Sequence, residues 1–270
     1  MKKQLLVLAM LTIMHSTALA QSKIIVNGST TMLPIIHKIV ESYNALHNDV
    51  TVAVTGGGSG NGVKALIDGY ADIAMSSREL QESEIKLAAS KKVRIMSRPM
   101  TIDALCPIVN PANPVNGVSL EQLRDIFSGK ITNWSEVGGE NKAIAVFSRD
   151  TSSGTFESWR KLVMDGEKIF PGAALLASSG IMLQEVSHSR QAIGYEGFCY
   201  VTGAVKALRV EGVAVDLENV RSGRYKLARF FWLFAKEAPS PEVAKFLDYM
   251  LGPQGRAIVT SCGAVPVDNQ

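Results

Sequence analysis

Three times along this chain a short apolar, β-branched run gives way to a loop of glycine, serine and threonine, and then to an apolar pattern of helical period. The first loop, Asn27-Gly28-Ser29-Thr30-Thr31, lies between Lys23–Val26 and a helix beginning near Met32, with Ile35, Ile36, Ile39, Val40, Tyr43 and Leu46 on one face. The second, Gly56-Gly57-Gly58-Ser59-Gly60-Asn61-Gly62, follows Val50–Val54 and precedes a helix with Val63, Leu66 and Ile67. The third, Arg149-Asp150-Thr151-Ser152-Ser153-Gly154-Thr155, follows Ala143–Phe147 and precedes Phe156, Trp159, Leu162 and Val163. Strands that feed helices through short polar loops build an open α/β sheet, so this layout excludes all-α and all-β folds.

The same layout has a chemical consequence. A helix N-terminus leaves backbone N–H groups without partners and carries about half a positive charge. Serine and threonine add hydroxyl donors, and glycine lets a ligand approach the backbone. Each loop is therefore a candidate anion cradle. A lone loop of this kind serves mostly as an N-cap worth about 1 kcal/mol. Three in one chain, one of them carrying Arg149, point to a shared oxyanion site. Nucleotide motifs are absent: no G-x-x-x-x-G-K-[ST] occurs, and residues 56–62 satisfy G-x-G-x-x-G in no register. Neither serine loop reads G-x-S-x-G, which leaves a hydrolase elbow unsupported.

The remaining pattern extends the α/β reading. Ile73–Met75, Ile102–Val109 and Ala192–Tyr195 read as strands, and Tyr225–Phe234 as a strongly apolar, aromatic run. Ser119-Leu120-Glu121-Gln122 forms a capping box before a helix with Leu123, Ile126 and Phe127, stopped at Gly129. Ser240-Pro241 opens a last helix. At 270 residues the chain fits one large domain or two modest ones.

Residues 1–20 read as a secretory signal peptide, with basic Lys2 and Lys3, an apolar run from Leu5 to Met14 and Ala18-Leu19-Ala20 before a cut at Gln21. The run is too short for a membrane anchor. Removing it lowers the excess of basic over acidic side chains from three to one. An anion must then be held by local groups rather than by a broad field, and no nucleic-acid partner is expected. Three cysteines (Cys106, Cys199, Cys262) with apolar neighbours read as buried free thiols. His37, His47 and His188 lack metal-ligand spacing, so neither a metal nor a cofactor is expected. His188 reads as an ordinary surface or core histidine rather than a catalytic base.

Taken together, NGSTTMLPII, GGGSGNGVKALIDGYADIAMSSREL, IVNPANPVNGVSLEQLRDIFSGKITNW, SRDTSSGTFESW, AIGYEGFCYV and LDYMLGPQGRAIV resemble the phosphate-binding proteins of bacterial ABC transporters. The resemblance covers nearly the whole mature chain. It implies an α/β, two-lobe periplasmic-binding-protein fold of type II, each lobe a central mixed sheet flanked by helices, with two hinge crossings. The expected lobes are 21–105 plus 230–270, and 106–229, with the crossings in the apolar runs at 102–109 and 226–234. It implies a monomeric periplasmic receptor, not an enzyme, that delivers inorganic phosphate to permease subunits in the inner membrane. Alternatives are a receptor for another oxyanion such as sulfate, a sensing or adhesion protein on the same fold, or a secreted phosphatase.

By the same resemblance the ligand contacts are Ser29, Thr30, Thr31, Ser59, Arg149, Ser153, Gly154 and Thr155, with Arg149 as counter-charge and Asp150 as the group that orients it. Several relatives carry an aspartate where this chain has Ser77. Ser77 can accept through its hydroxyl but adds no negative charge, which leaves phosphate and sulfate hard to separate on this residue. Arg78 either adds a second cation to the cleft or pairs at the surface with Glu79 or Glu82.

Overall fold

The computed structural model describes residues 22–267, so the signal-peptide reading lies outside the described residues. In chain order the first elements are β1 (Ser22–Gly28), α1 (Leu33–Asn44), β2 (Val50–Gly56), α2 (Ser59–Asp68), β3 (Ile73–Ser76) and α3 (Glu82–Ser90). Next come β4 (Ile95–Val109), β5 (Gly117–Val118), α4 (Leu120–Ser128), β6 (Ala145–Arg149), α5 (Gly154–Trp159), β7 (Ala174–Leu176), α6 (Ser179–His188) and β8 (Ala192–Gly197). The chain closes with β9 (Lys206–Ala207), β10 (Arg209–Val210), α7 (Leu217–Arg221), β11 (Ala228–Lys236), α8 (Pro241–Leu251), α9 (Pro253–Ser261) and β12 (Val265–Pro266).

The main sheet runs β2-β1-β3-β11-β4-β8-β6-β7. β1, β2 and β3 are parallel to one another, as are β6, β7 and β8. Between these two parallel sets lie the antiparallel partners β11 and β4. β4 is long enough to serve both sets: Ile95–Ala104 pairs with β11, and Leu105–Val109 pairs with β8. From Met100 onward every β4 residue but Ile102 is buried, which explains the continuous apolar run and the lack of strict alternation.

Two large cores flank this junction. One gathers Leu105, Ile108, Phe127, Trp134, Trp159, Ile193 and Tyr195 around β6 and β8. The other gathers Ile24, Val26, Ile35, Ile39, Val52, Phe231 and Phe246 around β1 and β2, with a smaller cluster of Val63, Leu66 and Phe234 behind it.

The local readings hold with shifts that have physical causes. Ser119 accepts from the Gln122 backbone while Gln122 returns to Ser119, and Gly129 takes the left-handed conformation after α4. α1 buries Ile35, Ile36, Ile39, Val40 and Tyr43, but it ends at Asn44, and Leu46 beyond it is 65 % exposed. The helix opened by Ser240-Pro241 is not the last. Gly252-Pro253 ends it and starts α9, because Pro253 cannot donate into the preceding turn but suits a first helical position.

Two glycines let the first loop reach its place. Gly28 ends β1 at φ +142, and a β-carbon there would run into the Met75 carbonyl of β3. Gly62 brings α2 against the backbone of Asn27 and Gly28, where a β-carbon would stand 2.5 Å from the Gly28 α-carbon. Gly28→Ala should therefore lower the unfolding free energy by about 2 kcal/mol or more, from left-side strain plus the strand contact. Urea denaturation reads this directly, and an unchanged midpoint would show that β1 and β3 can separate without cost.

Candidate functional site

β1, β2, β3, β6, β7 and β8 are the parallel strands, and the polar residues of interest stand at or just beyond their carboxyl ends. β1 delivers Ser29, Thr30 and Thr31; β2 delivers Ser59 at the start of α2; β3 delivers Ser77. β6 ends on Arg149 and leads to Ser153, Gly154 and Thr155; β7 leads to Ser179, and β8 carries Glu196. The carboxyl edge of parallel strands is where α/β folds place ligands, because the loop-to-helix turns gather there.

These groups meet. Thr31 Oγ1 lies 2.7 Å from Thr155 Oγ1 and 3.0 Å from Ser179 Oγ. Ser29 and Ser77 share a short hydroxyl–hydroxyl hydrogen bond. The Ser77 backbone N–H donates to Ser59 Oγ at 3.0 Å. Gly154 packs against that hydroxyl so closely that a β-carbon would collide with it. Ser153 caps α5, its Oγ accepting from the Phe156 N–H. Ser29, Thr30, Thr31, Ser59, Ser77, Arg149, Ser153 and Thr155 are all buried. The three loops picked from the sequence thus form one polar cluster between the two large cores.

Arg149 is the centre of it, with 1 % exposure. Its five N–H groups all have acceptors. Nε donates to the Leu176 carbonyl at 3.1 Å. Nη1 donates to Ser179 Oγ at 2.9 Å and Glu196 Oε1 at 3.0 Å. Nη2 donates to Thr30 Oγ1 at 3.0 Å and the Ala177 carbonyl at 3.2 Å. Its backbone N–H donates to the Tyr195 hydroxyl, which Trp159 holds by stacking at 4.4 Å.

The orienting role expected of Asp150 falls to another residue. The Asp150 carboxylate accepts from the backbone and hydroxyl of Ser152, a local turn bond, while Glu196 pairs with Arg149. An acid next in sequence to Arg149 points out of the strand's register, whereas one on the adjacent strand end faces it. Arg78 pairs with neither side chain expected: its guanidinium is bidentate to Glu84, at 2.7 and 2.8 Å, and also donates to the Glu79 carbonyl. Glu84 is the acid that completes the α3 capping box, two residues beyond Glu82. A groove of about 590 Å³ reaches the cluster from the Ser77 side, lined there by Arg78, Ser158, Arg229 and Trp232.

Ser179 and Glu196 were not singled out in the sequence. Ser178-Ser179-Gly180 repeats the Ser-Ser-Gly of the third loop and again opens a helix, a signal that was available. Glu196 stands as the lone charge in the buried strand AIGYEG. The cysteines are free, with Cys106 buried and Cys199 and Cys262 only partly so. Among the described residues, no group of three or more His, Cys, Asp or Glu is placed to hold a metal ion.

An α/β architecture with a buried, donor-rich cluster at facing strand ends is the kind of arrangement that suits a small anion. The match of residues 15–254 to the PBP superfamily domain is specific enough that the chain belongs to that superfamily. It is 30 % identical over 250 residues to the phosphate-binding protein PstS of Bacillus subtilis, covering 92 % of this chain and 82 % of that one. A putative phosphate ABC transporter substrate-binding protein from Clostridium perfringens, solved with bound phosphate, superposes with TM-score 0.86 at 30 % identity, over 92 % of this chain and all of that one. An ABC-type phosphate transport receptor from Vibrio cholerae gives TM-score 0.71 at 33 % identity, over 90 % and 99 %. These relatives bear out the two-lobe periplasmic-binding-protein fold.

A second ion pair sits beside the first. Asp103 on β4 pairs with Arg229 on β11 at 3.2 Å and accepts from the Phe198 N–H. Burial pushes its carboxyl up to about 6, against the pull of Arg229. A carboxyl raised in the fold stabilises while protonated, and that contribution is lost as pH rises through about 6. Relative to Asp103→Asn, the wild-type protein should therefore lose stability between about pH 4 and pH 7, by an amount on the order of 3 kcal/mol. Urea denaturation of both proteins across that range measures it; a constant difference would mean that Asp103 titrates as it does in the unfolded chain.

Proposed function

We propose that this chain is a periplasmic receptor that captures inorganic phosphate between two lobes and hands it to the permease of an ABC transporter. The observation that carries the reading is convergence. Loops more than a hundred residues apart place Thr31, Thr155, Ser179 and Arg149 in one buried hydrogen-bonded cluster. The two cores support lobes at 21–105 with 230–270, and at 106–229, with β4 and β11 as adjacent crossings. Relatives named as phosphate-binding proteins and receptors, rather than enzymes, support the ligand and the transport role. Among the described residues no helix is long and apolar enough to cross a membrane. The same reading takes the chain to be exported by its leader and to act as a monomer without cofactor.

The mechanism follows from the donors. Serine and threonine hydroxyls can donate to a guest or to one another. In this closed arrangement they bond across the cleft: Thr31 to Thr155, and Arg149 to Thr30. Opening separates these partners, and a tetrahedral anion entering the cleft takes the donors each had given the other. Arg149 acts on the guest largely through Thr30 and Ser179, whose oxygens accept from the cation and whose protons then point onward. Lobe closure over the bound anion is a hinge motion along the paired crossings.

Calorimetric titration with phosphate tests this. Arg149→Ala should weaken binding about a hundredfold or more, since it removes the positive charge and leaves Glu196 buried without a partner. Thr155→Val should cost about tenfold, the worth of one hydrogen bond. Undiminished phosphate binding by Arg149→Ala would overturn the assignment.

A further inference from the structure

Two of the three cysteines stand together where the two large cores meet. Cys199 lies in the single turn Phe198–Tyr200 that follows β8, and Cys262 directly follows α9. They are 63 residues apart in sequence, yet Cys199 Sγ donates to the Cys262 carbonyl at 2.8 Å, and the two thiols hydrogen-bond to each other. β4 brings them together: β8 pairs with it at Leu105, and β12, just after Cys262, pairs with it at Ile102. A β-carbon on Gly263 would stand 2.7 Å from the Phe198 ring, so the flanking residues are in contact as well. Phe198 and Val201 pack on the core around β6 and β8, whereas Cys199 and Cys262 both pack on the core around β1 and β2. Cys199 is thus the point at which a segment of one core rests on the other.

We propose that Cys199 and Cys262 close to a reversible disulfide that ties the lobe of 106–229 to the lobe of 21–105 with 230–270. The effect on the cleft rests on the receptor reading above; the bond itself does not. Both thiols are partly exposed, so a disulfide oxidant can reach them. Cys262 is the nucleophile. The hydrogen bond from Cys199 and the charge of Lys38 hold its thiol down to about 6, against its own burial, while that bond and burial push Cys199 up. The chemistry is thiol–disulfide exchange. The Cys262 thiolate attacks one sulfur of a small-molecule or protein disulfide and expels the other as a thiolate, leaving a mixed disulfide. Cys199 then loses its proton and attacks Cys262 Sγ, which breaks the mixed disulfide and expels the second thiolate. The oxidant gains two electrons and the protein pair loses two. A reducing dithiol reverses both steps.

Cys106 takes no part. It is wholly buried, its Sγ donates to the Ala104 carbonyl at 3.3 Å, and burial pushes its thiol up. The bond between the other two restrains opening of the cleft. Tyr200, next to Cys199, donates to the Thr30 carbonyl at 2.8 Å, and the Phe198 N–H donates to Asp103 of β4. Opening breaks the bond from Tyr200 to the first polar loop. A disulfide one residue away keeps Tyr200 close to Thr30, so reclosure competes with escape of the ligand.

The test uses the full mature protein, purified reduced and then exposed to oxidised glutathione. Peptide mapping by mass spectrometry without reductant should find Cys199 joined to Cys262, with Cys106 still open to alkylation once the protein is unfolded. Cys199→Ser should stop at a glutathione adduct on Cys262, formed about tenfold or more faster than the adduct on Cys199 in Cys262→Ser. Phosphate release in stopped flow should be slower from oxidised than from reduced wild-type protein by about threefold or more, and dithiothreitol should restore the faster rate. The mapping and the release rates use wild-type protein and need no variant. Separate glutathione adducts on Cys199 and Cys262 of the wild type, or a bond that includes Cys106, would overturn the proposal. A Cys199–Cys262 bond with equal release in both states would overturn the restraint between lobes. Phosphate binding in neither state would remove the receptor reading itself and leave the mapped disulfide standing.

Discussion

The guanidinium of Arg149 holds the polar centre of the molecule together. A cation removed from water is tolerable only when each of its donors is satisfied, and here the acceptors come from four places: the end of β7, the start of α6, the end of β8, and Thr30 from the opposite core. One side chain thus sets the spacing of four strand ends. Its own position is set in turn by the Tyr195 hydroxyl, which receives the Arg149 backbone N–H, and by Trp159 stacked flat on the Tyr195 ring. Apolar packing in one core therefore reaches the hydroxyls that face the other.

The sheet explains why so many distant residues arrive together. Parallel strands all end at the same edge, and this sheet has two parallel sets whose carboxyl ends turn toward one shared cleft across β4 and β11. A polar residue just past any of those strands is a candidate for the cleft. That rule was readable wherever a Gly/Ser/Thr loop followed an obvious strand, as at Ser29–Thr31, Ser59 and Ser153–Thr155. It was not readable at Ser179, because β7 has only three residues, with Ala174 and Leu175 exposed, and carries no periodic signal of its own. Glu196 was hidden differently: a single acid in an apolar strand says that something must neutralise it, but not which cation. Arg149 is 47 residues away in sequence and adjacent only through the pairing of β6 with β8. Asp150 shows the converse error, in which nearness along the chain stands in for nearness in space.

The charges of the site nearly cancel. Arg149 answers Glu196 and Arg229 answers Asp103, in keeping with a chain whose basic excess is small. Binding strength must then come from aimed dipoles rather than from net positive potential. Such a site discriminates by the number and direction of its hydrogen bonds, and is less sensitive to salt than a lysine-rich patch.

Hydroxyl groups also suit the cleft opening proposed above. The seam between the two cores includes Thr31 to Thr155, Arg149 to Thr30, the Gly60 N–H to the Ser152 carbonyl, and Ser158 to the Ser77 carbonyl. Each of these bonds is exchanged for water on opening, so each contributes a net of only about 1 kcal/mol. Hinge ordering and side-chain freedom oppose closure by amounts of similar size. On the receptor reading proposed above, a seam built this way would leave open and closed forms close in free energy, and a ligand would control that balance through the bonds it makes in one form alone. A broad apolar seam would have held the lobes shut whether or not an anion lay between them.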